Sequence, residues 1–206
     1  MSDLPLLVVA LTVSLYWTGV GAMIVRVRRH LRKDAGLVPE QARERMMWLV
    51  WVPLVASWIA LPWLATTHVD AWLAVPEWAR QGPAFGVRVV AALVAVGCLL
   101  ATARCWKRMG DDWRMDVSSQ STALITDGPF SRIRHPIYAF SILLMICTAV
   151  VLPTPPMIAI ALVHVTLMHV KARNEEAHLA SVHGAAYAQY AARTGRFVPR
   201  LNPREP

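Results

Sequence analysis

The sequence predicts an all-α polytopic membrane protein with about five transmembrane helices. Two features of the composition point there. Of 206 residues, 56% are hydrophobic and only 17% are charged, against roughly 25% charged in an average soluble domain. The charges also fall in blocks between long uncharged runs, the pattern of a chain that crosses a bilayer repeatedly. Such apolar content excludes disorder. Ten Gly and three Cys exclude a collagen-like or disulfide-framework chain.

Leu4 to Val25 and Met46 to Thr67 each run 22 residues without a charge. Either is long enough to cross ~30 Å of hydrocarbon at about 1.5 Å per residue. The second carries Pro53 and Pro62. Val89 to Ala103 is a third uncharged run, flanked by Arg88 and Arg104. Both arginines can snorkel, so the helix is expected to start near Pro83 or Ala84. Ile137 to Val170 is 34 residues without Asp, Glu, Lys or Arg, broken by Pro153-Thr154-Pro155-Pro156. It reads as a helical hairpin of two short spans. The first span is not a signal peptide, because Asp3 precedes it and the basic residues follow it. The organisation expected is a three-helix membrane region with a basic loop, 1–108, and a C-terminal loop, hairpin and amphipathic tail, 109–206.

With five spans, 19 of the 21 Lys and Arg residues fall on one side. The positive-inside rule makes that side cytoplasmic, with the N-terminus outside and the C-terminus inside. Topology and anionic headgroups account for the net charge of +8. No nucleic-acid motif is present, and no nucleic-acid partner is expected. Cys98, Cys105 and Cys147 lack CxxC partners and read as packing residues. Trp48, Trp51, Trp106 and Trp113 gather near one face and Trp63, Trp72 and Trp78 near the other, as an interfacial belt.

Two segments stand out on the basic side. In Thr126 to Tyr138, Asp127-Gly128-Pro129 makes a turn and Pro136 suits the first turn of a helix. Arg134 and His135 then stand at a helix N-terminus, which favours an anion; plain interfacial anchoring is the other reading. In Lys171-Ala172-Arg173-Asn174-Glu175-Glu176, two carboxylates follow the last span. If the helix continues, Glu176, Leu179, His183, Tyr187 and Tyr190 fall on one stripe. An amphipathic helix lying on the headgroups is the alternative. His164 and His169 lie inside the fifth span, where they could line a pocket or hydrogen-bond between helices. Metal ligation is not expected from their spacing. No HExxH, P-loop, GxSxG or strand-linked GxGxxG occurs; Gly19-Val20-Gly21 lies in an apolar helix.

The ordered set Gly128-Pro129-Phe130, Arg134-His135-Pro136-Ile137-Tyr138, an apolar hairpin, Asn174-Glu175-Glu176, Leu179, His183-Gly184, Tyr187, Tyr190 and Arg196-Phe197-Val198-Pro199 resembles the isoprenylcysteine carboxyl methyltransferase family, which is akin to membrane phospholipid N-methyltransferases. Gly110-Asp111-Asp112-Trp113-Arg114 also looks like bacterial members. The resemblance covers roughly Met109 to Pro199. It implies an S-adenosylmethionine-dependent methyltransferase of a bacterial inner membrane, its active site facing the cytoplasm, acting on a lipophilic or small acceptor with a carboxylate, thiol or amine. By the resemblance, His135, Pro136 and Tyr138 contact the cofactor. Glu175 or Glu176 balances its positive charge, and Tyr187 and Tyr190 shape the pocket. Arg134, Arg173 and Glu176 stand at the reacting end, and no metal is required. One departure is Phe140, where the family usually has Gly. Membrane sterol reductases using NADPH look similar in the same region, and a non-enzymatic scaffold is a third possibility.

Overall fold

The computed structural model describes residues 3–30, 42–67, 72–110 and 124–200. Five helices make the bundle: α1 (Leu4–His30), α2 (Ala42–Thr67), α3 (Gly82–Met109), α4 (Pro136–Val151) and α5 (Pro155–Arg193). Two short 3-10 turns, Glu77–Ala79 and Gly128–Ser131, lead into α3 and α4. Among the described residues, four helices are long and apolar enough to cross a membrane, and α4 is a shorter apolar one of 16 residues, about 24 Å long. The chain is an all-α polytopic membrane protein. Asp111 to Arg114 and Trp113 lie outside the described residues.

Local chemistry explains the helix ends. α3 starts at Gly82 with Pro83 in its first turn, where a missing N–H costs nothing. Pro136 does the same for α4, and Pro155 for α5. Leu152-Pro153-Thr154 makes the tight turn of the hairpin, and the helix after it runs past the apolar stretch as far as Arg193. α5 is not continuous, however. Gly184 has φ +50° and ψ −120°, a conformation that costs glycine little and other residues much. The stripe read from Glu176 to Tyr190 is therefore broken before Tyr187, and the last two turns set off in a new direction.

In lipid there is no hydrophobic drive between helices, so close packing and hydrogen bonds hold them. α3 buries Arg88, Ala91, Ala95, Cys98, Thr102 and Cys105 along one face, mostly small residues spaced three or four apart. Gly19 lets α1 approach α3: a Cβ there would stand 2.6 Å from the Trp106 ring. The fully buried Trp58 of α2 donates its indole N–H to Thr148 Oγ1 of α4 at 3.2 Å. Cys98, Cys105 and Cys147 are all buried and unbridged.

Arg88 does not snorkel. It is 2% exposed and spends its donors at one end of the bundle. Its guanidinium binds Asp3 at 2.6 Å, Val151 O at 2.8 Å and Ala79 O at 3.3 Å. Asp3 also accepts from the Leu6 N–H at the start of α1. One arginine thus ties α1, α3, the turn before α3 and the end of α4 together. Burial of a charge is tolerable only with its partner present. Asp3→Ala, which leaves the guanidinium buried alone, should cost about 3–5 kcal/mol. Thermal unfolding in detergent measures it, and an unchanged midpoint would show that Arg88 finds another partner.

Candidate active site

At the opposite end of the bundle, the loop before α4 and the tail after α5 run side by side. Arg134 N–H donates to Gly195 O at 2.8 Å, His135 N–H to Arg196 O at 3.1 Å and Gly195 N–H to Arg132 O at 3.1 Å. Ile133 and Gly195 form an isolated parallel bridge. A side chain at Gly195 would collide with the Val198 carbonyl, at 1.7 Å, so the tail can fold back on itself only with glycine there. The buried Tyr190 hydroxyl donates to Phe130 O at 2.7 Å, and Thr194 caps the end of α5 on Tyr190 O at 2.7 Å.

Side chains reinforce this strap. Glu176 takes Arg134 Nε at 3.0 Å on one side and Arg196 Nε at 3.0 and 3.1 Å on the other, with Arg196 Nη2 closing a fork. Arg134 also donates to the carbonyls of Ala191 (3.2 Å) and Thr194. Glu175 turns elsewhere and accepts the Tyr138 hydroxyl at 3.0 Å. His135 stacks flat on Tyr138, centroids 5.3 Å apart. It lies between the carboxylates, with Nδ1 3.5 Å from Glu175 and Nε2 3.4 Å from Glu176. Its Nε2 is buried without a hydrogen-bond partner, so its attraction to Glu176 is electrostatic.

Beside this strap lies a cavity of about 140 Å³. Arg134, His135, Pro136, Tyr138, Lys171 and Glu175 line one part of it. The other part is aromatic, made of Tyr16, Trp17, Trp48, Trp51 and Trp106 from the first three helices. These rings contact one another at centroid distances of 5.2 to 5.6 Å. Such a concave, mostly apolar space with a few converging polar groups is the usual form of a small-molecule site.

The structure divides the sequence-predicted residues. His135, Pro136, Tyr138, Glu175 and Arg134 all line the cavity. Glu176 is bound within the strap, 14% exposed against 35% for Glu175. Tyr187 and Tyr190 are buried behind the strap and outside the cavity lining, with the Tyr187 hydroxyl unpartnered. Arg173 is exposed on α5, outside the cavity lining. Phe140 packs against the apolar core. Two features went unread in the sequence. Arg196 was seen only as part of a motif, and the tryptophans at 48, 51 and 106 were read as an interfacial belt although they line the cavity.

The phospholipid methyltransferase family matches residues 87–186. The matched region covers just under half of the chain. It holds α3 from Val87, α4, and α5 to just past the break, with His135, Tyr138 and both glutamates, and it bears out the resemblance seen in the sequence motifs. α1, α2, Tyr187, Tyr190 and the tail of the strap lie outside the match. The nickel-cobalt-cadmium resistance protein NccN of Alcaligenes xylosoxydans xylosoxydans is 31% identical over 118 residues, 55% of this chain. The chain matches about half of that relative's length, 53%.

Burial alone would lower the His135 pKa from its ordinary 6.5; the adjacent carboxylates of Glu175 and Glu176 outweigh it and raise the value to about 9. Glu176, beyond the apolar part of α5, also loses water. Even so, His135, Arg196 and Arg134 hold its carboxyl well below the usual range. The signs follow from linkage. The His135 contribution to stability is whole below pH 6.5 and is lost as pH rises through about 9. The Glu176 contribution is present above its ordinary value of 4.5 and is lost only in acid. Wild-type melting temperature should therefore fall between pH 6.5 and 9. His135→Asn should flatten that slope, and equal slopes in the two proteins would remove His135 from between the carboxylates.

Proposed function

We propose that this protein is an integral membrane methyltransferase that uses S-adenosylmethionine and modifies a lipophilic or small acceptor. The observation that carries the reading is the convergence of His135, Tyr138 and Glu175 on one cavity beside the strap. The fit to the cofactor rests on the donor set. Glu175 offers a part-exposed carboxylate to a cation, and the flat faces of His135 and Tyr138 stand beside it. Arg134 and Lys171 in the lining provide positive charge for a carboxylate. The cofactor, when bound, supplies a methyl group already activated by a sulfonium.

What is left to the chain is binding, alignment and shelter from water. Glu175, fixed by the Tyr138 hydroxyl, would hold positive charge in place. Arg134, tied to Glu176 and two carbonyls, keeps His135 at the cavity instead of swinging with the loop. The tryptophan wall keeps water out, and alignment in such a space is worth up to ~7–11 kcal/mol of barrier. The relative NccN carries a name that concerns metal resistance. Among the described residues no three His, Cys, Asp or Glu side chains come together as a metal site would need, and the cavity's donors suit an organic cation.

A titration of the purified protein in detergent tests the reading. S-adenosylhomocysteine should bind with Kd on the order of micromolar, weakened at least tenfold in Glu175→Gln. Binding of NADPH instead would favour a membrane reductase, and binding of neither a scaffold. Where methyl transfer is measured in native membranes, Arg134→Lys should lose more than tenfold in rate with expression retained. It keeps the charge and loses the planar fork that reaches Glu176 and the carbonyls together. Unchanged turnover would take Arg134 out of the site.

A further inference from the structure

The cavity has a second polar end that neither the family match nor the proposed function uses. Ser141 of α4 and His164 of α5 both line it, with Ser141 Oγ 3.0 Å from His164 Nε2. Tyr16 of α1 lines it too. His164 is 1% exposed, meets the Trp58 ring at a tilt with centroids 4.9 Å apart, and its Nδ1 is buried without a hydrogen-bond partner. An orphaned buried polar atom is destabilising, and here it belongs to a residue that borders an open space.

This end lies well away from the charged end. Seven residues of helix separate His164 from Lys171 and six separate Ser141 from His135, which is about 10 Å of depth toward the middle of the apolar slab. The charged members of the lining, Arg134, His135, Lys171 and Glu175, are all at the strap end. Around His164 the lining is Tyr16, Trp17, Ser141, Leu167 and Met168, uncharged throughout. An ammonium or carboxylate placed there would be desolvated without a counter-ion, which is far costlier than burying a neutral group with a hydrogen bond. A neutral imidazole has one donor and one acceptor nitrogen, and the serine hydroxyl can turn to suit either tautomer. The pair can therefore present an acceptor nitrogen to an incoming O–H or S–H.

We propose that the Tyr16–Ser141–His164 end of the cavity is a subsite for the methyl acceptor and takes a compact, uncharged, apolar molecule carrying one weakly acidic O–H or S–H group. The inference rests on the methyltransferase reading for the word acceptor, while the subsite itself can be tested independently of the cofactor. His164 receives the hydrogen bond, Ser141 sets its tautomer, Tyr16 lines the same end, and the tryptophan wall holds the apolar body. α1, outside the family match, thus helps to choose the substrate.

Four probes that share one ring and differ in one group decide it: p-cresol, toluene, p-methylbenzylammonium and p-toluate. Each is titrated calorimetrically into the full chain in nanodiscs, with empty nanodiscs as the blank. p-Cresol should bind at least tenfold tighter than the other three. His164→Phe, which keeps a flat ring against Trp58, should reduce p-cresol to the level of toluene while S-adenosylhomocysteine binding stays within twofold. Ser141→Ala, a smaller change, should weaken p-cresol at least threefold and serves if the first variant does not fold. Equal binding of all four probes, tighter binding of the ammonium or the carboxylate, or p-cresol binding unaffected by either folded variant would overturn the proposal. Selective p-cresol binding without S-adenosylhomocysteine binding would keep the subsite and sink the cofactor assignment.

Discussion

The carboxylate of Glu176, clasped between Arg134 and Arg196, is the interaction on which the rest of the site depends. Among the described residues, the loop before α4 and the tail after α5 share three backbone hydrogen bonds. That is too little to hold irregular chain in one place against its conformational entropy. Two charge-assisted contacts to one part-buried carboxylate supply what the backbone lacks. They also fix direction, since a planar guanidinium meets a carboxylate in few orientations. His135 inherits its place from this arrangement: its neighbour Arg134 is pinned, its own N–H is bonded to Arg196 O, and its ring lies on Tyr138.

Adjacent residues on a helix point about 100° apart, and α5 uses that angle to separate two tasks. Glu176 faces the strap and is consumed by it. Glu175 faces the cavity and keeps part of its surface open. Two neighbouring glutamates that look interchangeable in the sequence are therefore a structural anchor and a candidate ligand. Gly184 completes the division: by breaking α5 it turns Tyr190 back to bond Phe130 O, so that the last helical turns brace the strap from behind. The opposite end of the bundle has its own tie in Arg88 and Asp3. The strap and its cavity are thus built on a helix cluster locked at its far end.

Much of the fold was legible because bilayer crossing is a property of long stretches. Uncharged runs gave the spans, and the prolines at 136, 153 and 155 gave the start and turn of the hairpin. The site motifs were legible where they were contiguous, as in Arg134 to Tyr138. Three things were not. Arg88 looks like a snorkelling residue because the sequence does not reveal that Asp3 and two carbonyls await it. The break at Gly184 is one backbone angle, which periodicity cannot register. The tryptophans of α2 were assigned to an interfacial belt because a helix that is apolar all round gives no sign of which face turns inward. That a cavity wall comes from α1, α2 and α3 is a fact of packing, invisible until the helices are placed.

Hydrogen exchange at the strap amides is the most direct measurement of the central claim. The N–H groups of Arg134, His135 and Gly195 are held only if loop and tail pair as described. In detergent-solubilised protein they should exchange far more slowly than free peptide, and more slowly still with S-adenosylhomocysteine present. Exchange at the free-peptide rate, with or without that ligand, would contradict a strap that closes a binding site.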